Sequence, residues 1–281
     1  EELAAALCLG IRDYVSKCGF SSALVGLSGG IDSAVVAALA VRALGCERVT
    51  GVSMPSLYSS PGSVTDASAL ASRLGIRLLT IPITPVFQSF RAALKDAFKT
   101  GSESPDLAEQ NLQSRIRGTL LMALSNKEGS LLLSTGNKSE LSVGYCTLYG
   151  DMNGGLAALA DVPKKTVYEL ARWLNSEREA IPQASITKPP SAELKPGQMD
   201  QDDLPPYDDV DAVIEGYVER RLDAAAIARR AGLGRALVDG LLDRIDRAEY
   251  KRRQAPPSLK VSMKAFGVGR RMPIARGSYR A

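Results

Sequence analysis

The short apolar run SALVGL at 22–27 carries no alternation of apolar and polar residues, and RVTGVSM at 48–54, IRLLTIPI at 76–83 and SLLLST at 130–135 read as three further strands. A strand with one wet face would alternate, so SALVGL reads as a strand covered on both faces. Helical patterns separate the runs, and parallel strands require crossovers of that kind. The sequence therefore predicts an α/β fold, a doubly wound parallel sheet with helices on both faces, whose ligands bind outside the carboxyl ends of the strands. That geometry puts SGGIDS (28–33) and STGNKSE (134–140) at one rim.

The helices can be bounded. Leu3, Leu7, Ile11, Tyr14 and Val15 share one face of an opening helix that stops near Gly19. A second runs over AVVAALAVRAL and a third over 63–75, with Ser63 and Asp66 in capping-box-like spacing and Gly75 as the stop. Thr84 and Pro85 open a helix reaching about Phe98; GSESP (101–105) is a loop; Asp106 starts a long helix carrying Leu107, Leu112, Ile116, Leu120 and Leu124. Segment 182–210 holds prolines at 182, 189, 190, 196, 205 and 206, which predicts irregular backbone and a mobile functional loop. Helices follow over 208–250. Residues 1–207 are expected to form the main domain, with 208–281 a helical C-terminal extension packed on it.

The chain has no histidine, which excludes imidazole mechanisms and His-liganded metals and leaves carboxylates, lysines, hydroxyls and backbone dipoles. Its four cysteines form no CxxC pair and read as reduced thiols of a cytoplasmic protein. The longest apolar stretch, AVVAALAV at 34–41, is too short to span a membrane, and the Glu1-Glu2 start predicts no secretory signal. The missing initiator Met points to a domain cut from something longer. Net charge is only +4, and the basic C-terminus, with little aromatic interleaving, reads as a solvated or oligomer-contacting surface rather than a nucleic-acid site.

SGGIDS lies between an apolar strand and an apolar helix, where glycines bring backbone amides and the positive helix end against a polyphosphate. No GK[ST] and no GxGxxG occurs, so neither a Walker loop nor a dinucleotide fingerprint is present. Asp32 would repel phosphate unless a divalent cation lay between them; it is either a Mg²⁺ ligand or a first-turn acid favoured by the dipole.

LSGGIDSA resembles the pyrophosphate loop of the N-type ATP pyrophosphatases, whose fold is that of the adenine nucleotide α-hydrolases. SLLLSTGNKSELSVGYCTLYGDMNGGLAALADVPKKTVYELARWLN and ITKPPSAELKPGQMDQDDLPPY resemble the NAD synthetases. GVSMPSLYSSPGS and EYKRRQAPPSLKVSMKAFGVGRRMPI resemble the synthetase domain of the glutamine-dependent subfamily, without its glutaminase. The resemblance implies ATP-dependent amidation of deamido-NAD, with nitrogen from free ammonia or from a separate glutaminase domain or subunit, and a homo-oligomer. It implies ATP contacts at Gly26, Leu27, Ser28, Gly29, Gly30, Ile31, Asp32, Ser33, Thr135, Lys164 and Ser191, with Mg²⁺ shared by Asp32 and Glu140. It implies deamido-NAD contacts at Asn111, Arg115, Glu140, Asp151 and Lys251. Asn111 and Arg115, four apart, share a helical face; Arg117 lies on another side and reads as structural. The alternative is a GMP-synthetase-like enzyme amidating a purine nucleotide.

Overall fold

A computed structural model describes residues 1–98, 105–176, 178–267 and 269–275. In chain order the elements are α1 (Glu2–Lys17), β1 (Ala23–Gly26), α2 (Ile31–Leu44), β2 (Val49–Ser53), α3 (Pro61–Leu74), β3 (Arg77–Thr80), α4 (Thr84–Leu94) and α5 (Leu107–Glu128). There follow β4 (Leu131–Ser134), α6 (Lys138–Val143), β5 (Leu156–Ala157), α7 (Lys164–Leu174), α8 (Gln183–Thr187), α9 (Tyr207–Ile214), α10 (Ala224–Ala231), α11 (Arg235–Arg247) and α12 (Glu249–Arg252).

The strands form one parallel sheet in the order β3-β2-β1-β4-β5. Strands β1, β2 and β4 are covered on both faces, whereas β3 lies at the sheet edge with Arg77 and Thr80 exposed. Ala23, Val25, Val49, Leu131 and Leu133 pack on α1, α2, α3 and α7, whereas Leu24, Val52 and Leu132 point to the other face, against Phe87 of α4 and Ile116 of α5. Both faces of the pleat are thus apolar, and burying each large side chain contributes about 1.5–3 kcal/mol. The chain starts mid-sheet at β1, winds out to β3, then returns to β4 on the other side, so the crevice between β1 and β4 is the switch point of the topology.

Several local expectations change. The cap of α3 is Ser60, which accepts the Ser63 N–H while Pro61 fills the first turn; Gly75 stops the helix in the left-handed region as expected. Helix α4 ends at Leu94, short of Phe98, and 101–104 of the expected GSESP loop lie outside the described residues. Asp106 does start α5 through a capping box with Glu109, but Leu107 is exposed. Segment 182–210 is not wholly irregular. Pro182 precedes the short helix α8, Asp200–Asp202 form a 3-10 turn, and Pro206 precedes α9, because proline is tolerated at a helix start. The fifth strand, of two residues, was not anticipated; Ala157 N–H donates to the Pro257 carbonyl (2.9 Å) and bridges to Ser258 in parallel.

Helices α9 to α11 gather round their own apolar cluster, which includes Val143 of α6 and Leu204. A buried ammonium ties this region down: Lys138 Nζ lies 3.0 Å from Asp161 and 2.8 Å from Glu219, and donates to Ser262 Oγ. Among the described residues no helix is long and apolar enough to cross a membrane, and the four cysteines are free thiols.

Candidate functional site at the switch point

The turn from β1 into α2 is built by its own polar atoms. Ser28 Oγ accepts the Gly30 N–H (3.2 Å), and Ser33 Oγ donates to the Gly30 carbonyl (3.0 Å). Gly29 has φ +79°, and a Cβ there would lie 2.4 Å from the Ser63 carbonyl oxygen, so the loop is pressed onto α3 where only glycine fits. No side chain caps α2, whose first-turn amides face the crevice as an anion site of the kind strand–loop–helix folds use.

On the other side of the crevice, β4 runs through half-buried Thr135 into the six-residue helix α6. Asn137 and Glu140 form its capping box, with Glu140 N–H donating to Asn137 Oδ1 (3.0 Å) and Asn137 N–H to Glu140 Oε2 (3.3 Å). Asn137 Nδ2 also donates to Asp32 Oδ1 (2.9 Å), joining the two loops. Between the carboxylates sits Lys164, the first residue of α7, with Nζ 2.5 Å from Asp32 Oδ2 and 3.1 Å from Glu140 Oε1. Its side chain is 2% exposed and each carboxylate 18%. Burial pushes the Glu140 carboxyl up to about 8, with Lys164 opposing and Asp32 and Asp200 reinforcing. Burial also opposes the Lys164 charge, but Asp32 and Glu140 outweigh it and hold the ammonium above its usual range. The ammonium thus occupies a cation position between two hard oxygen donors, a donor set that suits Mg²⁺. Tyr207 places its ring 5.0 Å from Lys164 Nζ and donates its hydroxyl to Asp200 Oδ2 (2.8 Å).

Four residues expected at a second substrate converge on one loop, 144–151. Lys251 Nζ donates to the carbonyls of Gly144 and Cys146 (2.7 Å each), Asn111 Oδ1 accepts from Thr147 Oγ1 (2.7 Å), and Arg115 Nε donates to the Leu148 carbonyl (3.2 Å). Asp151 belongs to the loop and its Oδ1 accepts from Thr147 N–H (2.7 Å) and Ser114 Oγ (3.1 Å). A narrow cavity of about 10 Å³ is lined by Glu140 together with Cys146, Asp151, Met152 and Pro256, among others. Arg117 points away, donating to the Met54 carbonyl (3.0 Å), and burial pulls its guanidinium down to about 10.

Ser191 is not joined to Lys164 by any hydrogen bond among the described residues. Its hydroxyl donates to the Gln198 carbonyl (2.6 Å) and accepts the Glu193 N–H, closing the 191–198 turn. That turn reaches the start of α3, onto which the glycine loop is pressed, through Glu193, whose carboxylate accepts Ser60 N–H (3.1 Å), Ser60 Oγ (2.8 Å) and Ser63 Oγ (2.7 Å). Gln113 Nε2 holds the far side through the Leu194 carbonyl (2.8 Å). Asn137, Ser139, Asp200, Tyr207 and Asp211 escaped the sequence reading; only Asn137 had a local signal, the capping-box spacing to Glu140.

A glycine-serine loop and a helix start without a side-chain cap at the switch point of a doubly wound parallel sheet, with two carboxylates sharing one lysine, define an α/β protein with an anion-binding loop. The chain belongs to the NAD synthase family, which matches residues 3–255. It is 59% identical over 277 residues to a glutamine-dependent NAD(+) synthetase of Synechocystis sp., covering 98% of this chain and 49% of that one. The glutamine-dependent NAD+ synthetase of Acinetobacter baumannii, solved with ADP, superposes with a TM-score of 0.65 at 45% identity, over 97% of this chain and 49% of that one. The NMN synthetase of Francisella tularensis gives 0.68 at 26% identity, over 95% of this chain and 98% of that one. The chain spans about half the length of the curated relatives it matches. These matches do not favour the GMP-synthetase-like alternative.

Proposed function

We propose that the chain amidates deamido-NAD to NAD, consuming ATP and releasing AMP and pyrophosphate. The observation that carries this reading is the Asp32–Lys164–Glu140 constellation facing the open end of α2. The α2 amides with Gly26, Leu27, Ser28, Gly29, Gly30, Ile31 and Ser33 cradle the ATP phosphates, and Thr135 and Ser191 contact the nucleotide. Asn111, Arg115, Glu140, Asp151 and Lys251 hold deamido-NAD, through the 144–151 loop or directly. The nicotinate carboxylate attacks the α-phosphorus and the bond to pyrophosphate breaks; ammonia then attacks the adenylylated carbonyl, loses a proton and expels AMP. Asp32 and Glu140 would hold Mg²⁺, which would supply charge neutralisation to the phosphates. Lys164 swings from the carboxylates to the leaving pyrophosphate. A carboxylate nucleophile and an amine need no imidazole, so positioning and electrostatics dominate. Segment 182–210, with 55–62, closes over the intermediate and excludes water.

The same reading makes 208–281 an extension of one domain with 1–207, the protein a cytoplasmic homo-oligomer, and the nitrogen source free ammonia or a glutaminase domain or subunit. The test supplies deamido-NAD, ATP, Mg²⁺ and ammonium. Equal yields of NAD, AMP and pyrophosphate are expected, falling by about a hundredfold or more in Asp32→Asn or Glu140→Gln. Formation of ADP, or wild-type turnover in both variants, refutes the assignment.

A further inference from the structure

Lys164 opens α7, yet α7 brings no cap of its own: Pro163 precedes it and supplies no side-chain acceptor. The first two amides of the helix are satisfied by residues of two other helices. Ser139 Oγ, on α6, accepts the Lys164 N–H at 2.8 Å and donates to Asp211 Oδ1 on α9 in a short hydrogen bond. Asp211 Oδ2 accepts the Lys165 N–H at 3.0 Å. One carboxylate thus sits at the positive end of α7, bonded to it directly and through a hydroxyl. The same α9 contributes Tyr207, whose ring flanks the Lys164 ammonium.

These bonds fix the Lys164 backbone from outside its own helix. Ser139 lies next to Glu140 in sequence, so the relay also fixes the distance between α6 and α7, and with it the gap that Lys164 spans to Glu140. A long side chain that must leave one partner and reach another keeps its aim only if its Cα is held, because its own rotamers supply no rigidity.

We infer that Asp211, acting through Ser139 and the first turn of α7, is a positioning residue that aims Lys164 at the nucleotide phosphates, so that α9 is part of the nucleotide site rather than a distant support. The inference rests on the reading of Lys164 as the phosphate-facing lysine. A cap that only supported folding would lower the folded fraction and leave the ATP affinity of folded molecules unchanged. A positioning residue changes that affinity, and only while Lys164 is present.

The experiment is a double-mutant cycle on the full chain, with ATP–Mg²⁺ binding titrated by calorimetry in the absence of deamido-NAD. Asp211→Ala is expected to weaken binding about tenfold, the order of one charge-assisted hydrogen bond. Asp211→Asn, which keeps one acceptor, falls between. In the Lys164→Ala background Asp211→Ala should add less than about twofold, because the lysine it aims is gone. Ser139→Ala, which cuts the relay but leaves the Asp211–Lys165 bond, gives the same cycle if Asp211→Ala does not fold. Wild-type affinity in both Asp211→Ala and Ser139→Ala, or effects that add fully to Lys164→Ala, overturns the inference while leaving the proposed activity standing. A wild-type chain that binds no ATP overturns both.

Discussion

Replacing Lys164 with Met removes the cation from between Asp32 and Glu140 and keeps a side chain of similar length. Breaking a buried ion pair by deleting one partner costs about 3–5 kcal/mol. The carboxylates here are 18% exposed and partly hydrated, so the low end applies, about 3 kcal/mol or about 6 °C of Tm in a chain of this size. The pH dependence has a definite sign. With the ammonium gone, burial and Asp32 both act to raise the Glu140 carboxyl, which already stands at about 8 in the intact site. A raised carboxyl keeps in the folded state a proton that the unfolded chain releases, so stability is lost as the pH rises above the ordinary carboxylate range. The intact protein loses this contribution up to about pH 8, whereas Lys164→Met continues to lose it above that, at up to about 1.4 kcal/mol per pH unit. The deficit should therefore be wider at about pH 9 than at about pH 6. Millimolar Mg²⁺ should narrow it by restoring a cation. Thermal unfolding followed by circular dichroism at both pH values, with and without Mg²⁺, measures all of this. A deficit that is absent, or that shrinks as the pH rises, would refute the shared-cation reading of the two carboxylates.

Gly29→Ala should destabilise the protein by about 1–3 kcal/mol and weaken ATP binding, because φ +79° and the Ser63 carbonyl leave no room for a methyl group. Gly240→Ala on α11, with nothing within 4 Å, is the control and should leave both unchanged or add slight stability; urea unfolding and ATP titration check the pair. Among the cysteines, exposed Cys18 should be alkylated first, while Cys146, pushed up to about 12 by burial and Asp151, reacts slowly. Peptide mass spectrometry after timed iodoacetamide treatment reads the order, and equal rates at the two thiols would contradict it.

The sheet was legible because its signal is local. An unalternating run such as SALVGL follows from burial on both faces, and SGGIDS between a strand and a helix places itself at the carboxyl rim. What was missed depends either on which of several local candidates takes a helix start or on partners far away in sequence. Ser63 has the spacing of a cap, but the preceding Ser60 takes that place once Pro61 fixes the first turn. Prolines at 182 and 206 read as breakers, yet each stands just before a helix. Strand β5 is too short to show periodicity and exists because β4 and residue 257 supply its hydrogen bonds. Asp32, Glu140 and Lys164 were identifiable by motif and do meet; Ser191 was identifiable by the same means and lies in a separate turn. Asp211 carries no motif signal, since its partners, the Lys165 amide and the Ser139 hydroxyl, lie more than 40 residues upstream.

The bond from Ala157 to Pro257 has a consequence for how the molecule is made. An edge strand with open amides invites pairing with other chains, and here the cover comes from a segment synthesised about a hundred residues later. On the ribosome, the strands and the glycine loop emerge well before that cover does, and the sheet waits with one raw border while the C-terminal helices are still being translated. Any truncation short of Ser258 would leave that border permanently open, turning a finished molecule into a template for its neighbours.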